Sequence, residues 1–203
     1  MEAVFGLLGV LIGSGLTWFQ TYWLNKKEKD RNARYLAIRV VCVLDKFLEN
    51  CAEVVNDEGL SFGQRNAEGC LEPQVKAPEG PLYPEDVDWN SIDHELMYRI
   101  LSLPSEVDGA KSIISFTWNI TGPPDFEEWF DERTFWYSQF GLQAYKLTEE
   151  LCCKYGIKKK IYNSWDPVED LARKLNVVLN DRQIRLTNYE DIVRTVLGKN
   201  KPK

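Results

Sequence analysis

Residues 3–24 read AVFGLLGVLIGSGLTWFQTYWL, twenty-two positions without one charged side chain. Wound as an α-helix the stretch is ~33 Å long, close to the ~30 Å of a bilayer's hydrocarbon core. Trp18, Tyr22 and Trp23 cluster at its C-terminal end, where amphipathic rings settle at headgroup level. Lys26, Lys27, Lys29, Arg31 and Arg34 follow, opposed only by Glu28 and Asp30, while Glu2 is the one charged side chain before the stretch. A cleaved signal peptide needs a basic start and a small-residue cleavage site, and Met1-Glu2 and WFQTYWLNKK supply neither. An interfacial helix needs a charged face that is absent here. A buried core helix fits less well with the aromatic belt and the cationic stop. The expectation is a single-pass anchor in the inner membrane, with the N-terminus outside, residues 25–203 in the cytoplasm and the lipid bilayer as first partner. Gly9 and Gly13 form a GxxxG pair that Gly6, Thr17 and Gln20 extend at steps of three and four. Such a stripe lets two helices approach closely and predicts a homo-oligomer, although glycine is common in spans for other reasons.

Beyond the basic cluster, Ala33, Leu36, Ala37, Val40, Leu44, Phe47, Leu48, Cys51 and Val55 recur at steps of three and four. That is one apolar face of a helix, either continuous with the anchor or broken near Asn25. Asn56-Asp57-Glu58-Gly59 stops it. Residues 59–90 hold four glycines and four prolines with no period of 2 or 3.6, a long loop. Ser91 is the expected N-cap of a short helix over 92–102 ended by Pro104, and Ser105 caps a second one that stops at Gly122-Pro123-Pro124. Asp125 to Tyr155 reads as a long helix closed by Gly156, with aromatics wide enough around it to be buried on more than one side. Asp166-Pro167 opens the last long helix, and Tyr189–Leu197 adds a short one before a basic tail. No strand series or internal repeat appears. The fold expected is all-α: an anchor (1–24), a juxtamembrane basic cluster with the first bundle helix (25–58), the Pro/Gly-rich loop (59–90) and the rest of a bundle of about four main helices (91–203).

The 203 residues carry a net charge of -6, distributed unevenly. Residues 49–150 hold 6 basic groups against 21 acidic ones, while both ends are basic. A middle this acidic repels phosphates, so nucleic acid is an improbable partner. His94 is the only histidine, which excludes HExxH-type zinc chemistry and restricts any triad to that residue. The five cysteines form no CxxC, and Cys42 and Cys51 read as small core residues. Asp125, Glu127, Glu128, Asp131 and Glu132 cluster near a helix start, where acids complement the dipole. Neither phosphate-binding glycine motif is present. No catalytic residue, cofactor-binding residue or metal ligand is assigned, and no cofactor is expected.

The Gly-rich uncharged start, the WxxxYWLN-KKEKDR boundary and the segment DVDWNSIDHELMYRILSLP (residues 86–104) resemble a loose group of small single-pass bacterial membrane proteins of unknown function. The resemblance implies a bacterial origin and an inner-membrane address, with no activity or site residues. Two function classes follow. The first is a membrane-tethered cytoplasmic interaction or regulatory module without catalytic activity, acting on an unknown protein partner. The alternative is a small-ligand sensor or enzyme with an aromatic-lined pocket between helices, built from Trp118, Trp129, Arg133 and Trp136.

Overall fold

The structure, a computed structural model, describes the backbone of residues 2–198 and the side chains of residues 15–190. Four long helices are joined by one long and two short connections: α1 (Glu2–Val55), α2 (His94–Ile120), α3 (Glu127–Tyr155) and α4 (Pro167–Gly198). A 3-10 turn over Trp89–Ser91 precedes α2. Among the described residues there is no strand, only an isolated bridge between Ser61 and Gln64. The helical bundle is therefore as expected.

The helix α3 is central and packs against α1, α2 and α4. Trp129, Tyr137, Phe140, Ala144, Leu147 and Leu151 are buried along one face at helical steps, and Ser138, Gly141, Thr148 and Cys152 widen the buried arc to the adjacent face. The apolar stripe of α1 from Ala33 to Val55 is buried almost without remainder. Helices α1 and α3 run antiparallel, with Arg133 bonded to Asp57 at one end and Arg34 reaching the Gly156 carbonyl at the other. Midway, Gly141 makes close approach possible, since a Cβ there would lie 2.5 Å from Leu171 Cδ1 and 3.2 Å from Cys51 Cβ.

Several boundaries differ from the sequence reading. Of the two alternatives at Asn25 the continuous one holds, α1 being one helix of 54 residues, whereas the boundaries that follow depart from expectation. Helix α2 runs straight through Pro104, because Leu96, Ile100, Leu103, Val107, Ala110 and Ile114 form one buried stripe on both sides of it. Burying that stripe outweighs the one backbone hydrogen bond that the imino ring removes. Its N-cap is Asp93, whose carboxylate accepts from the Glu95 and Leu96 amides, while Ser91 donates to the Asp88 carbonyl in the preceding turn. Helix α4 continues without interruption through residues 189–197. Gly156 closes α3 in the left-handed conformation as expected. Of the two cysteines read as core, Cys51 is buried and Cys42 is exposed.

The membrane placement is overturned. Among the described residues, no helix is long and apolar enough to cross a membrane. The reason lies in residues 15–24, GLTWFQTYWL, where Thr17, Gln20 and Thr21 interleave with four aromatic rings. Within the described side chains only ten uncharged positions, 15–24, precede Asn25 and the charged run from Lys26, short of the about twenty that a span needs. The rest of the stretch, residues 3–14, lies outside the described side chains, and Gly6, Gly9 and Gly13 of the stripe proposed for self-association lie there with it.

Candidate functional site

The chemistry that organises the site begins where α1 ends. Asp57, just past the last turn, has a side chain only 2 % exposed, and it faces Arg133 of α3, whose side chain is 3 % exposed. Arg133 Nη1 donates to Asp57 Oδ2 at 2.9 Å, and Nη2 donates to the Val75 carbonyl of the long loop. The same carboxylate accepts the Gly59, Gln74 and Val75 amides at 2.9–3.0 Å. Burial pushes the Asp57 pKa up, but the Val75 amide, the Arg133 guanidinium and the Gly59 amide outweigh it and hold the carboxyl below its usual range. One ion pair thus ties α1, α3 and both ends of the 59–75 segment together. The loop runs on across α2, where a Cβ on Gly80 would come within 2.6 Å of Pro104 Cα.

That anchoring makes the loop the wall of a pocket. Val75 is fixed by Asp57 and Arg133, so Ala77 is set against α2 and α3, and the three elements border an open pocket of about 290 Å³. Its lining is Ala77, Lys111, Ile114, Ser115, Trp118, Trp129, Arg133 and Tyr137. Trp118 and Trp129 meet edge to face with centroids 5.0 Å apart, and Phe126 stacks on Trp118 at 4.5 Å. Arg133 lies 5.3 Å over the Trp129 ring, a cation–π contact. Lys111 pairs with Glu79 of the loop and, at 3.5 Å, with Asp108. Tyr137 is 1 % exposed, and its buried hydroxyl has no hydrogen-bond partner among the described residues. Burial pushes that phenol up to about 12, so it is protonated at neutral pH.

Three of the four pocket residues expected from sequence therefore converge: Trp118, Trp129 and Arg133. Trp136 does not. It sits one position before Tyr137, so the helix turns it by about 100° away from the pocket lining, and it donates to Glu132 at 2.8 Å and stacks on Phe140. Tyr137, Lys111 and Ala77 were missed. Tyr137 looked like one more core aromatic, and Ala77 lies in a loop without periodicity. Asp57 had read only as a helix stop. A basic side chain on the apolar face of α3 was the available signal, because a buried guanidinium requires a carboxylate.

The remaining candidates stand elsewhere. Trp18, Tyr22 and Trp23 are exposed on α1, together with Thr17, Gln20, Lys26, Lys27, Lys29 and Arg31, far from the pocket in sequence. Trp18 stacks on Tyr22 with centroids 6.0 Å apart, and Arg31 lies 4.0 Å from Glu28. A second cavity of about 390 Å³ is lined by Asp57, Glu58, Asp125, Glu127 and Asp131 with Lys174. Its carboxylates are matched: Asp125 by Arg65, Glu58 by Lys174, and both Glu127 and Asp131 by Arg185. These pairs clasp the loop and α4 onto α3. Among the described residues no group of His, Cys, Asp and Glu could hold a metal ion. Compared with known proteins, the chain matches no family model, no curated protein and no solved structure.

Proposed function

We propose that the chain is a helical binding module whose site is the pocket between α2, α3 and the anchored loop, and that it holds a small ligand without transforming it. The observation that carries this reading is the pocket itself, an apolar recess beside the buried Arg133 that the anchored loop walls against α2 and α3. The indoles of Trp118 and Trp129 supply apolar contact within it, in keeping with how small-molecule sites are usually built. A fragment screen by ligand-observed NMR on the full chain tests the reading against Ala77→Phe, whose added ring fills the cavity from the loop side. Fragments that bind the wild type and lose binding in the variant are the expected outcome. Fragments that bind both equally, or none that bind at all, would sink it.

The free half of α1 favours a second reading, an interaction and regulatory module acting on a protein partner. Leu16, Trp18, Phe19, Tyr22, Trp23 and Leu24 are all more than half exposed along it, and contiguous apolar surface of this kind marks contact sites. A photo-crosslinking side chain at position 22 should then give a discrete adduct in cells, and a diffuse ladder would speak against it.

A further inference from the structure

We propose that α4 pairs with α4 of a second copy of the chain, parallel and side by side, through the face that carries Leu179, Leu186 and Tyr189. The proposal stands apart from the pocket and from the exposed half of α1.

The spacing along α4 comes first. Leu175, Leu179, Arg182, Leu186 and Tyr189 alternate at steps of four and three, the repeat that keeps one seam of a helix turned toward a companion helix. Val193 and Val196 carry the spacing on in sequence, outside the described side chains. From Leu175 to Gly198 the helix runs for about 36 Å, roughly three heptads, the length at which the repeat becomes a coiled-coil signal.

The bundle covers the neighbouring stripe instead. Leu171, Val178 and Arg185 stand one heptad apart from each other. The two apolar ones are buried, Leu171 approaches Gly141 of α3, and Arg185 bonds Asp131. The seam beside them is open to solvent, with Leu179 45 %, Leu186 58 % and Tyr189 67 % exposed. Arg182, its charged member, is drawn aside by its own copy, donating to Glu132 and lying 4.0 Å over the Phe135 ring. Asn180, Asp181, Thr187 and Asn188 on the outer side are polar, so the apolar contact has a defined edge.

Charge identifies the occupant as a second copy. In a parallel pair the residues flanking the seam on one helix meet those of the opposite flank on the other, one heptad on. Arg185 then faces Glu190 of the second copy, and Glu190 faces Arg185 in return. In sequence the same rule matches Val178 with Gln183 and Ile192 with Leu197, so like charges do not meet across the seam. An antiparallel pair would set arginine flank against arginine flank. Arg185 and Glu190 are both exposed, and a guanidinium has donors enough for Asp131 and a second carboxylate. A contact read identically from either copy closes on itself as a two-fold dimer.

Sedimentation velocity on the full chain tests this. A dimer whose population rises with concentration is expected. Leu186→Glu combined with Tyr189→Glu should weaken it at least about a hundredfold, because each helix would carry two carboxylates into an apolar seam. Helical circular dichroism and thermal unfolding should stay as in the wild type, since both positions are exposed in one copy. Ile184→Glu, comparably exposed but on the side of α4 away from the seam, should leave the dimer intact. Leu186→Cys should form a disulfide-linked dimer under mild oxidation that the wild-type cysteines do not form, because parallel pairing brings the two copies of position 186 together. A monomer at every concentration overturns the proposal, as does a dimer that survives the double substitution or is lost in Ile184→Glu. The crosslink decides the matter even if the double variant unfolds, since its absence overturns parallel pairing through this face.

Discussion

At the scale of single residues, Asp57 and Arg133 carry the most consequence. A buried pair contributes little beyond what an apolar substitute would, yet removing one partner leaves the other charged and unmatched. Asp57→Ala should therefore cost about 3–5 kcal/mol in urea unfolding, and it also strips the Gly59, Gln74 and Val75 amides of their acceptor. The folded-state pKa of Asp57 is lowered, so its contribution is fully present above the unfolded value of about 3.9. It disappears as pH falls through the lower folded value. Asp57→Asn should remove that acid limb from a plot of stability against pH, whereas an unchanged limb would place the acid-sensitive group elsewhere. None of this was visible in sequence, since seventy-six positions separate the partners and no local spacing rule spans them.

At the scale of elements, the helices were legible and their interruptions were not. The period of α1 from Ala33 to Val55 and the aromatic crowding of α3 follow directly from side-chain spacing, because burial selects the face. Gly156 and Asp166-Pro167 mark ends by local backbone chemistry, and they do so here. Pro104 misled because its cost is local, while the stripe from Leu96 to Ile114 that outweighs it is tertiary. The pocket was legible to the extent that its residues were unusual. Trp118, Trp129 and Arg133 stood out, but distinguishing Tyr137 from Trp136 needs the rotation of α3 about its own axis. Gly141 could not be read at all, since its role is to be absent where Leu171 and Cys51 approach. Gly141→Ala should destabilise the protein by about 1–3 kcal/mol through overpacking, although it improves helix propensity. A thermal midpoint that rises instead would show that α4 moves aside freely.

At the scale of the whole molecule, the chain divides between a packed bundle and a helix that leaves it. Residues 15–31 are exposed throughout, and burial in α1 begins at Ala33. The bundle draws nothing from that segment, so a chain beginning at Asn32 should keep its helical circular dichroism and melt within a few degrees of the full protein. Loss of cooperativity on that truncation would mean that the segment folds back. The length of α1 also has a mechanical side. The thirty-one residues from Glu2 to Asn32 form a continuous rod of about 46 Å clamped at one end by the seam with α3. Such a rod acts as a lever: a tilt of about 5° at the clamp sweeps its tip through roughly 4 Å, while every hydrogen bond within the helix stays as it was.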